Sequence, residues 1–262
     1  MLGACIGDII GSVYEFNAWK SREFPLFSEK SEFTDDTVCT IAVAECLLDC
    51  GDPAAALRKW GYRYPGRGYG GGFAVWLRDA GMGPYNSYGN GAAMRVSPAA
   101  WLAGDLDEAL ALARHVTAVT HNHPEGIKGA EATVTAIWLA RQGESPEAIR
   151  SRIHKEFGYD LSRSVDEIRP SYRFNETCQD TVPQAIVCAL EATSFEDAIR
   201  NAVSLGGDAD TLAAIAGPIA EVRFGIPDEV RRKGWLRLPK DMRGVLERLY
   251  EKSGAEGARL TP

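Results

Sequence analysis

Apolar residues recur every three or four positions along most of this 262-residue chain, and this period constrains the fold more than any other feature. The clearest case is the stretch 106–116, whose apolar side chains would share one face of a helix. The alternation that marks β-strands is nearly absent. Further helices are predicted over residues 38–48, 73–78, 127–141, 146–157, 182–191, 195–203, 212–223 and 241–252. About ten helices predict an all-α fold.

The composition indicates one folded domain over residues 1–262. With 45% hydrophobic and 25% charged residues, the chain can bury a large core. No low-complexity run or Pro/Ser-rich linker divides it. The polar stretch 158–175 is the longest predicted surface connection, either a lid or a plain loop. We expect a single compact domain and a monomer.

Charge and cysteine content limit the class of partner and the compartment. The formal net charge of −7 argues against general binding of nucleic acids or anionic membranes. The apolar stretch 2–13 contains Asp8 and is too short to span a bilayer, so a core helix is expected there. The six cysteines form no Cys-x-x-Cys pair, which indicates buried thiols and a cytoplasmic location.

Three glycines near the start, Gly3, Gly7 and Gly11, are spaced four residues apart and would form one smooth stripe on a helix. Such a stripe lets another backbone approach closely. The same helix would place Asp8 and Glu15 on roughly one face. Because a buried carboxylate needs a partner, both should be hydrogen-bonded, paired with a charge or turned toward a cation, and for Asp8 we favour a helix-to-loop hydrogen bond. Glu15 is the better candidate for a cation ligand.

Two clusters combine carboxylates with hydroxyls: Thr34-Asp35-Asp36-Thr37, and the segment 206–211 with Asp208, Asp210 and Thr211. Taken alone, each is also an ordinary helix start, with a capping residue and acids favoured by the helix dipole. Carboxylates and hydroxyls without His or Cys suit Mg, Mn or Ca and suit Zn poorly. Two helix N-termini crowded with acids would repel each other unless cations lay between them. If the clusters meet, they predict a metal-dependent enzyme.

Two glycine-rich segments, 69–72 and 87–91, lie between the clusters and run into apolar helical stretches. Amides at such helix starts can bind phosphate, although glycine turns without a ligand are more common. Arg95 pairs either with a phosphate or with a core carboxylate. His121 could donate to a ligand oxygen, whereas a zinc site at His121 and His123 lacks companion ligands in the sequence.

Several short segments occur in a characteristic order: Gly3-Ala4, Gly7-Asp8, Glu15-Phe16, Phe33 to Thr37, Gly89 to Arg95, Thr120-His121 and Gly206 to Thr211. Together they resemble the ADP-ribosylglycohydrolases, the group that includes the dinitrogenase-reductase-activating hydrolase. The resemblance runs from residue 3 to about residue 225. Each segment is short, but their joint occurrence is highly specific.

The resemblance implies an orthogonally packed all-α fold with two divalent cations, Mg or Mn, in a cleft. It implies one group of metal ligands at Thr34, Asp35 and Asp36 and another at Asp208, Asp210 and Thr211. Glu15 or Asp36 would act as the catalytic carboxylate. The ADP-ribose groove would be lined by Gly70, Gly71, Gly72, Ser87, Tyr88, Gly89, Asn90, Gly91 and His121.

The implied activity is metal-dependent hydrolysis of the glycosidic bond between ADP-ribose and a protein side chain, nucleobase or small molecule. Two alternatives stay open: a metal-dependent nucleotide phosphohydrolase, and a non-catalytic relative that binds ADP-ribose. The residues implied by the resemblance do not choose among arginine, serine, guanine and acetyl ester linkages. Contacts to the leaving group are expected from residues 159–174.

Overall fold

The computed structural model describes residues 1–254, and every regular element in this range is a helix. Its one recorded β-type contact is an isolated bridge between Gly89 and Thr177. The predicted all-α class is confirmed. No helix in this part of the chain is long and apolar enough to cross a membrane. The helices are α1 (Leu2–Gly11), α2 (Asp35–Asp49), α3 (Pro53–Arg63), α4 (Gly71–Arg78), α5 (Gly91–Met94), α6 (Ser97–Leu102), α7 (Leu106–Ala118), α8 (Pro124–Arg141), α9 (Pro146–Phe157), α10 (Val165–Ile168), α11 (Cys178–Glu191), α12 (Phe195–Ser204), α13 (Ala209–Phe224), α14 (Asp228–Arg237) and α15 (Lys240–Ser253).

Every predicted helix is present, but five helices were missed: α3, α5, α6, α10 and α14. Three of these are short, and α14 buries only Val230, Gly234 and Trp235, so its apolar period is weak. The stretch 158–175 is not a plain surface connection, because α10 lies within it and buries Val165 and Ile168. One cysteine also departs from expectation: Cys50 is exposed, at the left-handed end of α2.

Capping signals set the helix ends where the sequence carries them. The Ser145 side chain accepts a hydrogen bond from the Ala148 amide, and Pro146 occupies the first turn of α9. The helix stops at Gly158, which has a φ of 69°.

Helix α13 lies at the centre of the fold, with every residue from 209 to 220 buried. Its most extensive packing is against α1. A Cβ placed on Gly3 would lie 2.5 Å from the Gly217 oxygen, and one on Gly7 would lie 2.1 Å from a carbonyl oxygen of α13. A Cβ on Gly11 would lie 2.4 Å from the Asp210 Cα. The predicted glycine stripe therefore brings the two backbones into direct contact.

Helix α1 ends at Gly11, so Glu15 lies in the following turn. The expectation that Asp8 and Glu15 share a helix face is wrong. After Gly11 the chain forms a turn, in which the Tyr14 amide donates to the Gly11 carbonyl (2.8 Å). The Tyr14 ring packs against the ring of Phe24. Glu15 is consequently carried by a turn and not by the rigid helix.

Candidate functional site

The first acidic cluster forms the start of α2. Thr34 is the N-cap, and its hydroxyl accepts a hydrogen bond from the Asp36 amide (3.3 Å). Asp8 of α1 is buried and accepts hydrogen bonds from the Thr34 amide (2.9 Å), the Thr34 hydroxyl (2.7 Å) and the Thr37 amide (3.0 Å). The expected helix-to-loop hydrogen bond of Asp8 is confirmed, and its partner is Thr34, just before α2. It fixes the first turn of α2 beside α1.

The second acidic cluster forms the start of α13. Asp208 holds the N-cap position, yet its side chain caps nothing and instead accepts a hydrogen bond from Asn90 Nδ2 (2.6 Å). The Thr211 hydroxyl donates to Asp36 Oδ2 (3.3 Å), which links the two clusters directly. Asp210 accepts a hydrogen bond from the Thr211 amide (2.9 Å). The two clusters therefore meet in space, although the sequence separates them widely.

The carboxylates are arranged in two overlapping groups. Asp8, Asp36 and Asp210 form one, and Glu15, Asp208 and Asp210 form the other, with ligand oxygens inside each group within 4.8 Å of one another. Asp210 belongs to both groups. Neither group contains His or Cys, so the zinc alternative gains no support. For Asp8 a hydrogen bond was favoured over a place beside a cation, and its position next to Asp210 follows from the packing of α1 on α13.

The carboxylates of the two groups have raised pKa values. Burial raises the pKa of Asp8 to about 6, against the hydrogen bonds from Thr34 and Thr37. Burial, with the charges of Asp210 and Asp8, raises the pKa of Glu15 to about 8. Burial and the charges of neighbouring carboxylates, chiefly Asp210 for Asp36 and Asp208 for Asp210, hold the pKa values of Asp36 and Asp210 well above the usual range. Within residues 1–254, no Lys or Arg side chain forms an ion pair with these acids.

One buried atom of the cluster has no partner. Asp36 is 2% exposed, and its Oδ2 accepts from the Thr34 and Thr211 hydroxyls, both at 3.3 Å. Its Oδ1 is buried without any hydrogen bond. An unsatisfied buried carboxylate oxygen is costly, so this atom needs a proton or a cation.

A single cleft collects most of the residues expected at the site. Thr34 and Tyr88 are not among its lining residues. The expected residues that line it are Glu15, Asp35, Asp36, Gly70, Gly71, Gly72, Ser87, Gly89, Asn90, Gly91, His121, Asp208, Asp210 and Thr211. Tyr88 is 47% exposed and packs against His123, with ring centroids 5.2 Å apart. Asp35 faces the cleft but lies outside both carboxylate groups.

The segment 87–91 is tied to the start of α11. The Asn90 amide donates to the Glu176 carbonyl (2.7 Å), and the Cys178 amide donates to the Tyr88 carbonyl (3.0 Å). Asn90 Nδ2 donates hydrogen bonds to Asp208 Oδ2 and to Thr181 Oγ1 (3.2 Å). Asn90 therefore holds a carboxylate in position, although it was expected to contact a ligand.

The two glycines before α13 serve packing. Gly206 has a φ of 62°, and a Cβ there would lie 2.9 Å from the Lys20 side chain. A Cβ on Gly207 would lie 2.4 Å from the Tyr172 ring. The absence of side chains at these two positions makes room for Lys20 and Tyr172.

Several cleft residues were not expected as site residues. Glu176, Tyr85 and Phe73 all line the cleft. Arg95 is 1% exposed and also lines the cleft, but no ion pair in residues 1–254 joins it to a carboxylate. The expected alternative of a core ion pair for Arg95 is therefore wrong. Glu176 carries no local sequence signal, since only the fold brings it opposite the two clusters.

Comparisons with known proteins agree on one family. A family model described as ADP-ribosylglycohydrolase matches residues 1–259. The ADP-ribosylarginine hydrolase Tri1 of Pseudomonas putida (strain GB-1) is 28% identical over 274 residues, covering 90% of this chain and 73% of that protein. The ADP-ribosylhydrolase ARH3 of Danio rerio is 28% identical over 302 residues, covering 86% of this chain and 82% of that protein. A solved structure described as an ADP-ribosylglycohydrolase-related protein complex matches with a TM-score of 0.73 at 26% identity, covering 96% of this chain and 97% of that chain.

Proposed function

The chain belongs to the ADP-ribosylglycohydrolase family, and on that premise we propose that it is a divalent-metal-dependent hydrolase that releases ADP-ribose from a modified side chain, nucleobase or small molecule. The named relatives are ADP-ribosyl hydrolases, so the chain is a hydrolase of glycosyl bonds. The resemblance drawn from the sequence is thereby confirmed. Metal dependence and the choice of substrate belong to the proposal.

The observation that carries the metal requirement is the buried Asp36 Oδ1, which has no partner inside a cluster of five carboxylates. The donor set consists of hard oxygen atoms, which suits Mg or Mn. Two groups that share Asp210 suit two neighbouring cations. The residues present therefore fit the proposed cofactors.

Each cation has a proposed set of ligands. Asp8, Asp36 and Asp210 would hold the first cation, and Asp208 and Asp210 would hold the second, with Glu15 beside it and left free for proton transfer. The remaining expected ligands, Thr34, Asp35 and Thr211, surround these sets, and the Thr34 and Thr211 hydroxyls already bond to Asp36. Bound cations would neutralise the carboxylates and supply Lewis acidity towards the ribose hydroxyls and water.

The rest of the cleft suits ADP-ribose. The first turn of α4 begins at Gly71, and amides at a helix start lack intrahelical partners. These amides face the same cleft as the loop 87–91, so they would bind the diphosphate. Tyr88 is exposed and lies between Ser87 and Gly89, which both line the cleft, so its ring would stack on the adenine. The distal ribose would then lie at the carboxylates.

The carboxylates also suit the reaction itself. Breaking a glycosidic bond develops positive charge on the ribose ring, and nearby carboxylates stabilise it. We assign the proton transfer to Glu15 because it lies in a turn at the cleft, and because burial and the charges of Asp210 and Asp8 raise its pKa to about 8, close to neutral pH. Asp36, the other candidate, is more deeply buried and accepts hydrogen bonds from two threonines. Its geometry fits a ligand better than an acid or base.

The direct test is release of ADP-ribose. The protein would be incubated with Mg or Mn and with ADP-ribose linked to arginine, serine, guanine or acetate, and free ADP-ribose would be followed by chromatography. We expect release from at least one substrate and its loss in the Asp36→Asn variant. Asp49→Asn, which alters a surface ion pair with Arg248, is the matched control. No release from any substrate would contradict the proposal.

The two alternatives give distinct products. Free phosphate with an intact glycosidic bond would identify a nucleotide phosphohydrolase. Binding of ADP-ribose without release from any substrate would identify a non-catalytic relative. Both readouts come from the same reactions.

A further inference from the structure

A buried chain of three polar side chains borders the cleft. Arg95, Thr120 and His121 are 1%, 0% and 5% exposed. Arg95 Nη2 donates to Thr120 Oγ1 at 2.6 Å and lies 3.4 Å from His121 Nδ1. Thr120 Oγ1 lies 2.8 Å from the same ring nitrogen. Both hydrogen bonds of the His121 ring within the described chain are therefore made at Nδ1.

The protons of this chain can be assigned from its chemistry. A guanidinium only donates, so Thr120 Oγ1 accepts the bond from Arg95. The hydroxyl proton of Thr120 then needs an acceptor, and His121 Nδ1 is the one that the described residues offer. Arg95 Nη2, also a donor, faces the same nitrogen. Nδ1 is consequently without a proton, and the proton of the neutral ring is on Nε2.

The other ring nitrogen points to the segment 89–91. A Cβ placed on Gly91 would lie 3.1 Å from His121 Nε2, and one on Gly89 would lie 3.6 Å away. Both glycines and the ring line the cleft. The absence of side chains at these two positions leaves the Nε2–H group room to reach a ligand.

We propose that Arg95 is a positioning residue which, through Thr120, fixes His121 as a neutral Nε2–H donor directed at an oxygen of the bound ligand. The identity of that oxygen, in the ADP-ribosyl group, rests on the proposed function. The assignment of the proton rests on the protein alone. His121 therefore binds and does not transfer protons.

The surrounding charges support a neutral ring. Burial and the Arg95 guanidinium hold the pKa of His121 well below its usual range. Tyr85, whose ring centroid lies 6.0 Å from that of His121, is a neutral phenol because burial raises its pKa to about 12. The other groups that face Arg95 are Cys39, Asp35 and Cys178.

The first test uses the unmodified protein. The nitrogen NMR signals of its imidazole rings would be recorded from about pH 5 to about pH 8, the range in which an ordinary histidine titrates. There are four histidines, so His121 is identified by the signal missing in His121→Gln. We expect an Nε2–H ring that does not titrate. A proton on Nδ1, in either the neutral or the doubly protonated form, would overturn the proposal.

Variants of Arg95 test its role. In Arg95→Met the Thr120 hydroxyl is free to accept, so the exclusive Nε2–H form should be lost, with the Nδ1–H form appearing beside it. Arg95→Lys keeps a buried cation that can donate to Thr120 and should retain the original form. An unchanged ring in a folded Arg95→Met protein would overturn the role of Arg95. If that variant does not fold, the spectrum of the unmodified protein still decides the proton assignment.

A ligand titration tests the direction of the donor. ADP-ribose added to the unmodified protein should shift the Nε2–H signal, while calorimetry reports binding independently. Binding without any shift at Nε2 would overturn the contact to the ligand. No binding of ADP-ribose at all would count against the proposed function instead, and the proton assignment in the free protein would stand.

Discussion

Replacing Asp208 by Asn should stabilise the metal-free protein and weaken its response to metal. Burial, together with the Glu15 and Glu176 charges, raises the pKa of Asp208 from 3.8 to about 6, against the hydrogen bonds from Asp210 and Asn90. One pKa unit corresponds to about 1.4 kcal/mol, so ionising Asp208 in the folded protein costs about 3 kcal/mol. Asn has nearly the same shape and keeps an oxygen that can accept from Asn90. The variant loses the charge without losing the packing.

The sign of the pH dependence follows from the direction of the shift. Because the pKa is raised in the folded state, the stability that Asp208 contributes is present below about pH 4 and lost as the pH rises through about 6. The metal-free variant should match the unmodified protein near pH 4. Near pH 8 it should be more stable by about 3 kcal/mol, or about 6–10 °C in melting temperature.

Cations should reverse this order. At a concentration about 100 times its Kd, a ligand that binds only the folded protein adds about 2.7 kcal/mol. Mg or Mn should stabilise the unmodified protein by this amount. The stabilisation should increase with pH, because the ligand carboxylates must be deprotonated to bind the cation. The variant should gain much less.

Thermal unfolding followed by circular dichroism, with and without chelator, measures all four states. Asp49→Asn is the control, and it should change stability by less than about 1 kcal/mol because its ion pair with Arg248 is exposed. If the metal-free Asp208→Asn variant were no more stable than the unmodified protein at pH 8, ionised Asp208 would not destabilise the folded protein, and the reasoning would be refuted. If its response to metal were intact, Asp208 would not be a ligand.

Three further predictions concern packing, catalysis and ligand binding. Gly7→Ala should lower the free energy of unfolding, measured by chemical denaturation, by more than about 3 kcal/mol, because the new Cβ would lie 2.1 Å from an α13 oxygen. The control Gly244→Ala adds its Cβ to open space and should raise that free energy by up to about 1 kcal/mol. Similar losses of stability in the two variants would refute the close contact between the α1 and α13 backbones. Glu15→Gln should lower kcat by about 100- to 10,000-fold while ADP-ribose binding, measured by calorimetry, changes little; an equal loss of binding would contradict its role in proton transfer. Tyr88→Ala should weaken ADP-ribose binding about tenfold, unlike Tyr62→Ala on the exposed face of α3, and an unchanged Kd would exclude stacking.

The sequence predicts the helices and the acidic clusters because both are local signals. At the start of α2, Thr34 caps the helix and Asp36 belongs to a carboxylate group. The segment can therefore be both a helix start and part of a metal site. At α13 the capping interpretation is wrong, since Asp208 bonds to Asn90 instead. No local pattern distinguishes these outcomes. They depend on which segment the fold brings opposite each helix start.

The parts that sequence reasoning missed are set by long-range packing. Asp8 enters a carboxylate group because α1 lies directly on α13, and Glu176 reaches the cleft because the start of α11 is tied to the loop 87–91. The partner of Arg95 was also out of reach, because Thr120 and His121 lie on a distant part of the chain. Residue type restricts the possible partners, and only the tertiary structure selects among them.

The contact between the α1 and α13 backbones makes the distance from Asp8 to Asp210 a property of the main chain. Two helices separated by side chains can adjust when core residues change size, but Gly3 against Gly217 leaves no compressible layer between them. Mutations elsewhere in the core would therefore alter stability long before they alter the spacing of these two carboxylates. A protein engineer who wished to change the preferred size of cation would have to replace the ligands themselves, because repacking the helices offers no adjustment.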